Sequence, residues 1–359
     1  MSGRQIMLSL WAAMSIVALM LTKTNTYIGP SKYYHEKKEA SLLTKQAFEE
    51  IKAYKLSLGI PNASEDIYDT GLIGERYTPI TTTLGILESK RTSVNPNFAA
   101  VIIDMFEKAN IKKGDEVVIT FSGSFPALNI AVMSAIEILE LKPLIMASIG
   151  SSSYGANLTN FTYIHMSNYL YNQNVFSHKI DYVSLGGAND TGNEFEDNIK
   201  QDLLNYVKSE EIKIINIDTF KENIDYRMSL INQHVPSYKM LINVGGNLIS
   251  LGQNESSFYQ KNGLITPSIT NIFQENKDKG LIQKTLEKRL PVIQLLNIKS
   301  LAYKYGIPID AKDEVEIGKG DVYFEQKVDL LIPVASVILT SLIIVFYTYY
   351  YKKEGVNNG

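Results

Sequence analysis

Two uncharged apolar runs, one at each end of the chain, constrain its folding more than any other feature. Ile6 to Leu21 (IMLSLWAAMSIVALML) lies between Arg4 and Lys23, and Leu330 to Tyr351 (LLIPVASVILTSLIIVFYTYYY) ends in an aromatic cluster before Lys352 and Lys353. About 20 apolar residues cross a hydrocarbon core, so positions 6–22 and 330–351 read as transmembrane anchors. A cleaved signal peptide is the rival reading of the first run, although no small-x-small cleavage pattern follows it. Between the anchors, 24–328 is expected to be one α/β domain, with 352–359 a short polar tail. Lys352 and Lys353 favour a cytoplasmic C-terminus and hence an extracytoplasmic domain at the cell membrane. Lys23, Lys32, Lys37 and Lys38 argue the other way.

With 359 residues, 45% of them hydrophobic, the chain can bury a sizeable core. Its formal net charge of -3 offers no broad basic field, which excludes nucleic acid capture by bulk attraction. Cysteine is absent, so disulfides, thiolate metal sites and a cysteine nucleophile are excluded. No HxxxH, HExxH or dense carboxylate cluster suggests a metal, and no GxxxxGK[ST] or helix-opening GxGxxG suggests a nucleotide. The expectation is therefore a protein without metal or cofactor.

Glu36 to Leu58 repeats apolar residues at helical spacing, and an irregular polar stretch from Asn62 to Thr83 follows, too long for a plain connector. Helix and strand then alternate: helix Asn97–Ala109, strand Glu116–Phe121, helix Ala127–Glu140, strand Pro143–Ile149. Further strands read at Tyr182–Leu185, Lys213–Ile217 and Met240–Val244, with helical pattern between them. Asp278 to Leu296 reads as a late amphipathic helix, and Ala302–Gln326 as a polar return toward the membrane. This order predicts a mainly parallel sheet with helices on both faces, flanked by the N- and C-terminal transmembrane helices.

The chemistry is expected where these strands end. Four loops rich in glycine, hydroxyls and amides fall at carboxyl ends: Ser122, Gly123 and Ser124; Ser151, Ser152, Ser153 and Asn157; Gly186, Gly187 and Asp190; Gly245, Gly246 and Asn247. With Asn129 on the helix after the first loop, they are the candidate ligand-binding residues, because doubly wound sheets bind ligands at that edge. Glycine lets the backbone approach a ligand, and N–H groups at helix starts favour anions, so the cleft would take a carboxylate or phosphate without basic side chains. The plainer reading is that glycine and serine here serve turns and caps. Ser124 is a weak candidate nucleophile, since its loop lacks the GxSxG elbow and none of the four histidines has a telling neighbour.

Several of these segments carry a resemblance. Glu75 to Gly85 (ERYTPITTTLG) with Lys90, then Gly114, Asp115, Glu116 and the run SGSFPALN (Ser122 to Asn129), resemble the bacterial poly-γ-glutamate system protein family. Ser151 to Asn157 with Phe161, and Gly186-Gly187 with Asp190, follow in the same order; the likeness covers roughly Ala40 to Ser250. It implies a part in making, exporting or handling a polymer of glutamate joined through γ-amides, with that polymer, its membrane synthase components and the lipid bilayer as partners. It supplies no reaction. Three functions stay open: an accessory protein binding the anionic γ-glutamyl polymer, a serine-dependent amide hydrolase or transpeptidase acting on it, and a purely structural interaction protein.

Overall fold

The computed structural model describes residues 3–253, 261–268, 279–311 and 315–357. From the N-terminus come α1 (Gly3–Thr24) and β1 (Thr26–Pro30), then α2 (Tyr34–Ser57), β2 (Thr81–Thr83), α3 (Leu87–Ser93) and α4 (Phe98–Lys108). The alternating part runs through β3 (Glu116–Ser122), α5 (Pro126–Ile138), β4 (Lys142–Ser148), the short β5 (Ser151–Ser152), β6 (Asn157–Leu158) and β7 (Phe161–Thr162), and α6 (Tyr163–Asn172). Next are β8 (Tyr182–Ser184), α7 (Asp197–Ser209), β9 (Lys213–Ile214), α8 (Phe220–His234), β10 (Met240–Val244), α9 (Leu248–Leu251) and β11 (Gly263–Ile265). The described elements close with α10 (Leu281–Glu287), β12 (Val292–Leu295), α11 (Ile298–Lys304), β13 (Phe324–Val328) and α12 (Leu331–Asn357).

Residues 32–323 form one unit, built on a seven-stranded sheet in the order β11-β12-β10-β3-β4-β8-β9. Every neighbouring pair is parallel except β11 with β12 at the edge. The chain lays down β3, β4, β8 and β9 outward in one direction, then returns to place β10 on the other side of β3. That reversal makes the gap between β3 and β10 a topological switch point, where the two adjacent connections leave on opposite faces and open a crevice at the carboxyl edge.

Strand alternation explains the two covered faces. Val118, Leu144, Met146, Tyr182 and Leu241 pack with Phe220, Ile224 and Ile231 of α8 and Leu281, Ile282 and Leu286 of α10. Val117, Ile119 and Phe121 point the other way and are buried, Phe121 edge-on to Tyr163 at 5.4 Å between ring centroids. On that side α2 and α4 pack against α5, burying Ala40, Ala47 and Ile51 of α2 completely. Burying one such isoleucine stabilises the fold by roughly 1.5–3 kcal/mol.

The alternating elements take the form expected of them, but Asp278–Leu296 does not form one helix. Asp278 lies outside the described residues; from Leu281 the helix ends at Glu287, Arg289 adopts φ 60°, and Val292–Leu295 joins the sheet beside β10. A left-handed residue followed by Pro291 cannot continue a helix, so an apolar run of VIQL becomes a buried parallel strand. Nor is 302–323 a free return: Tyr323 is fully buried, and its hydroxyl lies 2.8 Å from Ser41 Oγ and 2.6 Å from Asn97 Oδ1.

The second unit is made from both ends of the chain, 1–31 and 324–359. β1 and β13 pair antiparallel from Thr26 with Val328 to Pro30 with Phe324, and α1 packs along α12. The expected transmembrane helices at 6–22 and 330–351 require correction: among the described residues no helix is long and apolar enough to cross a membrane.

Candidate functional site

All four glycine-rich loops leave the same carboxyl edge, and their backbones press on one another. Gly123 N donates to Gly150 O at 3.3 Å, Gly150 N to Leu185 O at 2.9 Å, and Ala156 N to Gly123 O at 2.8 Å. Gly245, at φ 96°, abuts Ser122 so closely that a Cβ there would overlap Ser122 Oγ. Ser122, Gly123, Ser124, Ser151 to Ser153, Gly186, Gly187 and Gly245 therefore belong to one contiguous rim, with the β3 and β10 loops flanking the switch point.

Most of the side chains at this rim hold the loops together rather than facing outward. Ser151 Oγ donates to Gly123 O at 3.1 Å, Asn129 Nδ2 to Ser122 O at 2.9 Å, and Ser122 Oγ to Val244 O at 3.3 Å. Asn157, fully buried, accepts from Glu75 N at 3.0 Å and donates to Glu75 O at 2.7 Å and Thr81 Oγ1 at 3.0 Å. Asn157 is thus a clamp on the 74–83 segment. Ser153 N and Ser151 N add bonds of 2.9 and 3.3 Å to Thr83 O and Ile80 O, which explains why that long polar stretch is ordered against the serine-rich loop. Gly74 is required at its hinge, because a Cβ would overlap Gly155 O and Asn157 Oδ1. Gly74→Ala is expected to lower stability by about 1–3 kcal/mol, as overpacking against backbone does, and to open 75–85 to limited proteolysis.

Asp190 is not a solvated loop carboxylate. It is buried and ion-paired with Arg227, accepts from Ser184 Oγ at 2.8 Å, and has Asn247 Nδ2 at 3.4 Å. Arg227, itself buried, also donates to Ser184 Oγ at 3.1 Å and to Asn223 Oδ1 at 2.8 Å. The pair anchors the Gly186–Gly192 loop from beneath. Glu194 caps the same loop, accepting from Ala188 N at 2.6 Å. At the outer surface remain Ser124 and Asn247, half-buried, and Gly246, exposed. His165 is structural: its Nδ1 faces the Thr162 N–H and hydroxyl at the start of α6, its ring stacks on Tyr206 at 3.8 Å, and burial pulls it down to about 4.

Sequence reasoning missed the role of Lys90. It lies on α3, 2% exposed, and its ammonium reaches the Ser124 carbonyl, Ser152 Oγ at 2.8 Å and the face of the Phe125 ring at 3.9 Å from the centroid. Among the described residues no carboxylate pairs with it, and loss of hydration alone brings it from 10.5 to about 7. Lys37 shows the ordinary arrangement in the same protein: equally buried, it sits 3.1 Å from Asp104.

A separate cavity of about 550 Å³ opens between α2, residues 68–70, 91–97, 305–311 and 315–322. Its charges are largely matched within the protein, Lys52 with Asp69 at 2.7 Å and Lys319 with Glu316 at 2.9 Å, which gives it no net pull on an anion. The loop rim is the stronger site because it combines the switch point with a buried amine that no carboxylate pairs among the described residues. Fold and site together define a doubly wound α/β protein with a lysine-centred rim. Comparison with protein-family models, with curated proteins and with solved structures gives no match.

Proposed function

We propose that this chain is an accessory protein of poly-γ-glutamate biosynthesis or export, binding the anionic γ-glutamyl polymer at the switch-point rim and working with the polymer's synthase components at the cell membrane. One observation carries the ligand class: the loops 122–125, 150–157 and 245–247 contain no charged residue, and the first two close over Lys90, a buried amine that lacks a carboxylate partner among the described residues. A carboxylate arriving there meets the start of α5, whose first N–H groups no side chain caps, and no opposing anion within those loops. The resemblance of Glu75–Gly85, SGSFPALN and Ser151–Asn157 to the poly-γ-glutamate system family supports the choice of polymer, and these are the segments that build the rim.

The test is calorimetric titration of the full chain with γ-linked glutamate oligomers. Binding should weaken as salt rises. Gly246→Asp, which places a carboxylate at an exposed position without a positive φ, is expected to weaken it at least 10-fold while leaving the melting temperature unchanged. Absence of binding by the native chain, or equal binding by Gly246→Asp, would overturn the proposal.

A further inference from the structure

Ser152 and Lys90 hold a relation that ligand binding does not require. Ser152 Oγ lies 2.8 Å from Lys90 Nζ, and the Ser152 N–H is held by Ser124 Oγ at 3.0 Å, which fixes its backbone as the last residue of β5. Lys90 touches Ser124 only at the carbonyl, so the hydroxyl within reach of the amine is that of Ser152. Gly85 roofs the pair: a Cβ there would come 3.2 Å from Lys90 Cε and 3.3 Å from Ser152 Oγ. No carboxylate, histidine or second cation faces the amine from Gly85, from the Ser124–Phe125 turn or from β5. On its own helix, Glu88 pairs with Lys299 at 2.6 Å, and Arg91 turns to Glu65 O at 2.8 Å and Asp310 at 3.7 Å.

We propose that Ser152 and Lys90 are a nucleophile and general base that cleave and remake γ-glutamyl amide bonds through an acyl-serine. The substrate class rests on the function proposed above; the chemistry of the pair does not. The neutral amine takes the Ser152 proton as Oγ forms a bond to the amide carbonyl carbon. The C–N bond then breaks, and the Lys90 ammonium gives that proton to the departing amine, leaving an ester on Ser152. Water, or the amine of a second chain, adds to the ester carbon and loses a proton to Lys90, which returns it to Ser152 Oγ as the C–O bond breaks. Water gives hydrolysis and an amine gives transfer; neither needs a metal, oxidant or nucleotide. Burial that lowers an amine toward neutral pH is how a lysine becomes a base without an acidic partner. The segment over the serine loop exposes Tyr77, Leu84 and Ile86, apolar side chains placed to lie along the aliphatic part of a γ-linked chain.

The experiment treats the full chain with a fluorophosphonate probe and reads the adduct by intact mass and peptide mapping, beside the same oligomer titration with product sizes followed. The expected adduct is on Ser152 and absent in Ser152→Ala. Its rate should rise with pH through about 7 and level off, following the amine. Lys90→Met should slow it at least about 100-fold, the scale of a lost general base. Lys90→Arg, which keeps the charge but cannot act as a base, should not restore it. Oligomer binding without adduct or turnover overturns the dyad and leaves the binding function standing. An adduct on Ser152 without oligomer binding leaves the dyad standing and removes the polymer as its substrate.

Discussion

Lys90→Met is expected to make the protein more stable at neutral pH, not less. In the unfolded chain the amine keeps its proton up to about 10.5, whereas in the fold it releases it near 7. Between those values the unfolded state binds more protons, so the stability of the native protein should rise with pH across that window and be held down at and below its lower end. The gap corresponds to roughly 5 kcal/mol at pH 7, at about 1.4 kcal/mol per pH unit. Methionine keeps an unbranched chain of similar length and removes this penalty, but it leaves Ser152 Oγ and the Ser124 carbonyl without their donor, at about 1–3 kcal/mol. The net expectation is a gain of about 2–4 kcal/mol at pH 7 that vanishes or reverses by pH 10.5, read from urea unfolding at both values. Equal loss of stability at the two pH values would show that the amine does not change its charge state on folding. A residue whose removal stabilises the protein while abolishing Ser152 labelling would be retained for its chemistry, as expected of a functional site.

The sheet was legible because each central strand is a short apolar run ending in glycine and each crossover helix shows a 3.6-residue period. EVVITF and MLINV became β3 and β10 at nearly the expected bounds, and their neighbouring positions follow from the reversal of strand order. The convergence of the four loops followed from the same rule about carboxyl edges. VIQL of β12 was not legible, because a short apolar run beside helical pattern fits helix or strand equally well. Nor was Lys90: within Leu87–Ser93 (LESKRTS) a lysine reads as a solvated residue. What buries it is Gly85 and a loop 62 positions downstream, contacts made only by the finished fold. The joining of the chain's ends by β1 and β13 depends on pairing between Thr26–Pro30 and Phe324–Val328, for which neither segment carries a local signal. The serine and asparagine side chains of the four loops are constrained in a related way. Loops this close must first satisfy their own backbone groups, and Ser122, Ser151 and Asn157 do that.

The largest loss of stability is expected at the other end of the rim, from breaking the Asp190–Arg227 pair. Asp190 and Arg227 have side chains 1% and 4% exposed, and removing one partner strands the other's charge away from water. Arg227→Met should therefore lower stability by about 3–5 kcal/mol, and Asp190→Asn by a similar amount. The double variant Asp190→Asn/Arg227→Met should recover much of that loss, because no unpaired ion remains and two charges no longer need desolvation. The backbone adds a local signature. Asn189 and Asp190 both adopt left-handed conformations, φ 52° and 69°, a region these residue types usually enter singly rather than in succession. Without the arginine the loop should relax, and faster amide exchange is expected from Gly186 to Gly192 than elsewhere at the rim. Gly186 packs on Gly150, one residue before β5, so the relaxation should reach Ser152 and slow its labelling. Faster exchange at 186–192 with unchanged labelling would instead show that the serine–lysine pair is held by Ser124 and the 74–85 segment alone.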